Sequence, residues 1–252
     1  HDLTVVTPAF RSGQPVALFA STIHVVDIGG LGLGVESTEI YHEGLQIPIM
    51  KLVDEGRLDE SLLRIVRANV REPVQVVGDI HALIAAGGIG VQRLLRTMDE
   101  FGLEDLESVG RAIIEASRRA MLDAIRDWPR GAFANAMTID GLDRGVRLAA
   151  TLTIAEDGIL VDYAGISPLS PFAINVPKTY TDAYTTFGVR CIIGPDIPNN
   201  AGSLSAIRVV APEDCIVNAP HPRAVVSRSV IGQMLPDVVF GCLHRARPGS
   251  AP

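Results

Sequence analysis

Cysteine is scarce in this 252-residue chain, and Cys191, Cys215 and Cys242 show none of the close spacings used by structural zinc or redox motifs. A disulfide framework is therefore not expected; the thiols read as reduced and mostly buried, in a cytoplasmic protein. Long apolar runs are missing as well. No stretch approaches the ~20 apolar residues of a membrane-spanning helix, and the N-terminus has no charged region followed by an apolar one, so neither a membrane partner nor secretion is expected. Basic clusters are absent too. With 22 Lys and Arg against 29 Asp and Glu the net charge is -7, and neither sign runs on for more than a few residues. Phosphate binding needs clustered basic surface, so a nucleic-acid partner is not expected. No Gly-Lys-Ser/Thr sequence occurs, and Gly29-Gly30-Leu31-Gly32-Leu33-Gly34 leads into no convincing helix start, so a nucleotide loop is not expected either.

What is present is a chain with 47% hydrophobic and 20% charged residues, long enough to bury a sizeable core. It starts with His1 in what reads as mid-strand, so flanking sequence is expected at both ends. Residues 3–10 and 15–23 are rich in β-branched and apolar side chains and flank Arg11-Ser12-Gly13-Gln14, a hairpin pattern. Helical spacing follows over 59–70, with Asp59 as N-cap, and over 73–101, where Gly87, Gly88 and Gly90 predict a kink or break. A third helix is predicted over 103–127, closed by Pro129, and the short turn near Gly102 makes these helices antiparallel neighbours.

After Gly131 the pattern turns to strands at 132–139, 145–154 and 159–163, with Glu156-Asp157-Gly158 as a hairpin turn. A helix over 180–193, short strands at 206–210 and 215–217, and a helix over 225–243 interrupted by Pro236 complete the reading. Helices in one block and hairpins in another predict an α+β fold with antiparallel sheets and a block of antiparallel helices. Three regions are expected: a hairpin and loop region at 1–58, a helical region at 59–130 and a mixed α/β region at 131–252. The Pro- and Gly-rich stretch 165–177 is the strongest boundary signal.

The most informative constellation lies in the first region. In an antiparallel hairpin the start of one strand lies beside the end of the next, so Asp2, His24 and His1 can converge. Imidazole beside carboxylate suits zinc or manganese, and equally suits a plain hydrogen-bonded pair.

Asp2-Leu3-Thr4-Val5-Val6-Thr7-Pro8 and His24-Val25-Val26-Asp27-Ile28-Gly29-Gly30 closely resemble the hydantoinase B/oxoprolinase family. So do Glu43-Gly44-Leu45-Gln46-Ile47-Pro48, Asn69-Val70-Arg71, Gly78-Asp79, Ile197-Pro198-Asn199-Asn200-Ala201-Gly202-Ser203 and Gln233-Met234-Leu235-Pro236-Asp237, in family order across the whole chain. The resemblance implies that the chain is an internal fragment of a larger subunit of a cytoplasmic hetero-oligomer. Its partner would be a hydantoinase A-type subunit that binds ATP and phosphorylates the substrate carbonyl. It also implies a divalent metal between two Asp and two His, of which Asp2 and His24 match two positions. His1 departs from the family spacing by directly preceding Asp2, and a further Asp ligand is expected upstream.

Hydrolysis of a cyclic amide (hydantoin, 5-oxoproline or lactam) is the expected reaction, with ketone carboxylation of the acetone/acetophenone type as the alternative. The segments 176–184 and 233–237 look slightly closer to the carboxylase branch. Asp27 can orient His24 or simply form the turn before Gly-Gly. Glu43, with His42 beside it, is a candidate acid or base. Asn199, Asn200 and Ser203 form a polar loop suited to substrate amides, or an ordinary Asx-rich turn. Asn69 and Arg71 read as a helix end or an anion contact. His81, His221 and His244 have no ligand-spaced neighbours and read as structural.

Overall fold

The computed structural model describes residues 2–250 and divides the chain into two compact units: residues 2–33 with Tyr41–Val109, and Gly34–Ile40 with residues 110–250. Within the described residues the architecture is α+β.

The first unit opens with a long hairpin of β1 (Asp2–Arg11) and β2 (Gln14–His24). Ser12 and Gly13 both take positive φ, 51° and 77°, the two-residue turn geometry whose twist matches that of the strands. Residues alternate between faces, so one face carries Leu3, Thr7, Phe19 and Ile23 while the other carries Asp2, Thr4, Thr22 and His24. Two-residue strands β3 (Val53–Asp54) and β4 (Arg57–Leu58) precede α1 (Glu60–Asn69). Asp59 caps α1 as predicted, its carboxylate accepting from Ser61 N at 2.9 Å and Leu62 N at 3.1 Å. Val25, Ile28, Leu62, Leu63, Val66, Val76, Val77 and Ile80 form the core of this unit.

The predicted break at Gly87-Gly88-Gly90 does not occur: α2 (Pro73–Glu100) is one continuous helix. A Cβ on Gly87 would lie 2.2 Å from Thr7 Oγ1, and one on Gly90 would lie 2.6 Å from the Phe19 ring. These glycines let the hairpin approach the helix, and the packing outweighs the conformational cost of about 1 kcal/mol each. By length and composition α2 also qualifies as a membrane span, contrary to expectation. The same composition suits a packed helix, and here Val76, Val77, Ile80, Leu83, Gly87 and Met98 are buried.

The second unit holds most of α3 (Glu107–Arg126), whose start is later than predicted because Asp105 accepts from Glu107 N at 2.9 Å. Then β5 (Gly131–Ile139), β6 (Val146–Ala155) and β7 (Gly158–Asp162) form an antiparallel meander. The fourth strand, β8 (Ile207–Val210), pairs parallel to β7 after the crossover through α4 (Lys178–Ile192) and α5 (Ala201–Leu204). The predicted strand at 215–217 makes only isolated bridges from Cys215, although Ile216 and Val217 are buried. In place of one interrupted helix there are two, α6 (Ser229–Gly232) and α7 (Leu235–Ala246). Pro236 sits in the first turn of α7, where no backbone donor is needed. Residues 165–177 form no boundary but run within this unit, with Ala173, Ile174 and Val176 buried. The core joins Met121, Ile125 and Trp128 to β6, β7, α4 and α7. All three cysteines are free; Cys215 and Cys242 are buried, and burial pushes the Cys242 thiol up to about 11, while Cys191 is exposed.

Gly87→Ala and Gly90→Ala are each expected to destabilise the protein by about 1–3 kcal/mol through overpacking. At Gly88, where a Cβ would meet open space, alanine should add up to about 1 kcal/mol of stability. Urea denaturation of the three variants checks both signs.

Candidate functional site

Asp2 and His24 are direct cross-strand partners at the open end of the hairpin, on the face opposite Thr7 and Phe19. His24 Nδ1 lies 2.9 Å from Asp2 Oδ1, and both side chains are about half exposed. An ionised carboxylate only accepts, so the proton of a neutral His24 sits on Nδ1 in this contact; for both residues to hold one ion, Nδ1, the nitrogen that faces Asp2, gives up that proton as the metal binds. One step along the same face, the Thr4 and Thr22 hydroxyls are 2.8 Å apart. His1 lies outside the described residues. Among the described residues no group of three or more His, Cys, Asp or Glu is gathered as a metal cage. The pair thus fits zinc or manganese in donor type and supplies half of a tetrahedral set.

Asp27 follows where β2 ends, and its carboxylate is almost wholly buried. Oδ1 accepts from Gly29 N at 3.2 Å and Arg71 Nη1 at 2.6 Å, while Oδ2 accepts from Arg71 N. Burial pushes this carboxyl up, but the backbone donors of Arg71 and Gly29 and the Arg71 guanidinium together hold it below the ordinary Asp value. The second arm of Arg71, Nη2, donates to Gly30 O at 2.6 Å. Asp27 therefore ties the Gly29-Gly30 turn to the end of α1, the turn-forming alternative open to an Asp before Gly-Gly.

Glu43 lies in a 3-10 turn, Ile40–Glu43. Leu31 N donates to His42 O and Leu45 N to Ile28 O, both at 2.8 Å, so the segment carrying Glu43 is stapled to the loop leaving β2. Gly30 makes this possible: with φ at +63°, its Cβ position falls 2.4 Å from His42 O and 2.5 Å from Gly44 N.

The three polar residues of the other candidate loop belong to the second unit. Asn200 caps α5, accepting from Gly202 N and Ser203 N, and its Nδ2 donates to Ser117 Oγ on α3 at 2.8 Å. Ser203 is fully buried; its hydroxyl donates to Pro198 O at 2.8 Å and accepts from Arg190 Nη1 at 2.7 Å. Arg190 also reaches the carbonyls of Gly194 and Ile197. Asn200 and Ser203 thus build the loop. Asn199 lines an open cleft of about 780 Å³ with Phe187, Leu204, Ile207 and Val209. Neither the Arg71 clamp nor the Arg190 fork was read from sequence, although each arginine stands at or just past a helix C-terminus.

The family model described as hydantoinase B/oxoprolinase matches residues 1–252. The chain belongs to that family. A protein of Pseudomonas sp. (strain NS671), named as the B-type component of a D-/L-hydantoinase, is 28% identical over 265 residues, covering 98% of this chain and 45% of its own. The ATP-dependent caprolactamase of Pseudomonas jessenii superposes with a TM-score of 0.90 at 25% identity, over 98% of this chain and 44% of that one. A nucleotide-free acetone carboxylase, at 16% identity and TM-score 0.84 over 97% of this chain and 35% of that one, shares the fold. This hydantoinase B/oxoprolinase chain spans less than half the length of the curated relatives it matches.

Asp27→Asn should cost about 1–3 kcal/mol of stability at neutral pH by weakening bonds to a buried acceptor. Because the folded carboxyl is held below its ordinary value, that stability is present above the unfolded pKa and is lost as pH falls through the folded one. The gap between wild type and variant, followed by urea denaturation, should therefore narrow on acidification. Asn200→Ala should cost about 1 kcal/mol through the lost cap, measured the same way.

Proposed function

We propose that this chain is the metal-carrying part of an ATP-dependent amidohydrolase subunit, acting after a hydantoinase A-type partner has phosphorylated the carbonyl oxygen of a cyclic amide. The observation that carries the reading is the Asp2–His24 pair, carboxylate and imidazole 2.9 Å apart on an open sheet face. The names of the relatives support it in kind: one is a hydantoinase component and another an ATP-dependent caprolactamase, and hydantoin and caprolactam are both ring amides.

An unstrained amide is a poor electrophile, and its oxygen leaves far more readily as phosphate. Water adds to the activated carbon, the C–N bond of the tetrahedral adduct breaks as a proton passes to the ring nitrogen, and the acyl phosphate left behind is hydrolysed by a second water to carboxylate and phosphate. Asp2 and His24 would hold a zinc or manganese ion, with the remaining ligands from residues outside 2–250; such an ion supplies Lewis acidity and lowers the pKa of water. Glu43 takes the proton from the attacking water and returns it to nitrogen. Asp27 keeps the loop in place, since its oxygens are taken by Arg71 and Gly29. In the polar loop of the second unit Asn200 and Ser203 are bound internally, and Asn199, on the wall of that unit's own cleft, is the residue of the three placed to meet a ligand there.

The alternative is ketone carboxylation, which also begins with a phosphorylated carbonyl oxygen. The test uses the full subunit with its partner. Amide-dependent ATP consumption is expected from the complex and none from this subunit alone. Elemental analysis should find stoichiometric metal, and His24→Ala should lower metal content together with turnover, the latter at least ~100-fold. Turnover by the isolated subunit without ATP sinks the proposal; fixation of labelled bicarbonate with a ketone transfers it to the carboxylase reading.

A further inference from the structure

We infer that Arg71 is a positioning residue for this reaction, an inference that rests on the metal and base roles just proposed for His24 and Glu43. Three separate stretches of backbone meet around it. The loop leaving β2 contributes Asp27 and Gly30, both gripped by the two arms of one guanidinium, at 2.6 Å each. The stretch after α1 contributes Arg71 itself, whose backbone amide donates to Asp27 Oδ2, and Asn69, whose carbonyl leaves no room for a Cβ on Gly29. The third stretch, 42–45, is bound to the first through Leu31 N and Leu45 N and through the close approach of Gly30.

The consequence is mechanical. Val25 and Ile28, on either side of Asp27, are buried in the core of the unit, so the backbone is anchored before and after Asp27, although Val26 is half exposed. A guanidinium fork fixes both distance and direction, which an ammonium cannot do. Arg71 therefore sets where the chain turns immediately after His24, and through Gly30 it sets the seat of the segment carrying Glu43. The cost of ordering these loops is met before substrate arrives, the condition for a preorganised site. The guanidinium is 61% exposed, so a bare surface ion pair would contribute little to stability; its fork on a buried carboxylate and a carbonyl points to geometry as its use.

The test takes the full two-subunit enzyme with Arg71→Ala and Arg71→Lys, and Ile80→Ala as a core control matched for loss of stability. Zn²⁺ is titrated into the demetallated complexes by calorimetry, and kcat and KM for the amide are measured on the loaded ones. Arg71→Ala should weaken Zn²⁺ binding roughly 10–100-fold and lower kcat with KM within about twofold. Arg71→Lys should recover only part of either, while Ile80→Ala should leave both near wild type despite an equal fall in Tm. Wild-type Zn²⁺ affinity and kcat in Arg71→Ala, or equal losses in Ile80→Ala, overturn the inference. His24→Ala is run alongside. If it abolishes Zn²⁺ binding while Arg71→Ala does nothing, the clamp alone fails; if it too leaves Zn²⁺ binding and turnover intact, the reading of the site fails with it.

Discussion

The ionised carboxylate of Asp27, buried and yet held below its ordinary pKa, is the constraint on which the polar end of the first unit depends. Burial by itself favours the protonated acid, which could offer only part of the acceptor capacity the loop requires. Two backbone amides and a guanidinium reverse that preference. The same contacts satisfy donors that a glycine turn would otherwise leave without partners, at a cost comparable to a lost hydrogen bond. Electrostatics and backbone accounting thus point one way, and both hold the turn that leaves β2.

The second unit solves a similar problem with neutral groups. The loop between α4 and α5 exposes a series of carbonyls, at Gly194, Ile197 and Pro198, and one arginine from the last turn of α4 collects them together with the Ser203 hydroxyl. Asn200 closes the other side by capping α5 and reaching Ser117. Gly202 lies against the backbone of α3, where a Cβ would come within 1.9 Å of Ile114 O. A polar sequence that looks designed for a ligand is here consumed by its own loop, apart from Asn199 on the cleft wall.

Local rules carried the reading of the chain where one short-range interaction decides the outcome. The Ser12-Gly13 turn with alternating strands, the Asp59 cap and the meander after Gly131 were all visible in this way, and so was the Asp2–His24 juxtaposition, which follows from hairpin register alone. Reading failed where distant packing overrides local preference. Three glycines weaken a helix in isolation, yet Thr7 and Phe19, far away along the chain, pack closely against two of them. The apolar run at 215–217 was buried without finding a ladder partner. Arg71 showed as a helix-end residue because nothing in its neighbours names a carboxylate 44 positions earlier. Asn200 and Ser203 carried a signal that capping and substrate binding share, and only their partners in space separate the two.

The backbone passes between the two units at three points, after Leu33, after Ile40 and after Val109. The short segment Gly34–Ile40 is integral to the second unit: Val35 O accepts from Ala173 N at 3.0 Å, Ile40 N donates to Pro222 O at 2.8 Å, and the backbones of Glu39 and Arg223 pair as an isolated antiparallel β-bridge. No single cut can therefore release either unit whole. A piece ending near residue 109 would carry away the strap that the remainder needs, and the remainder alone would show raw backbone where that strap had lain. The two units have separate cores and yet share a chain that no single division respects.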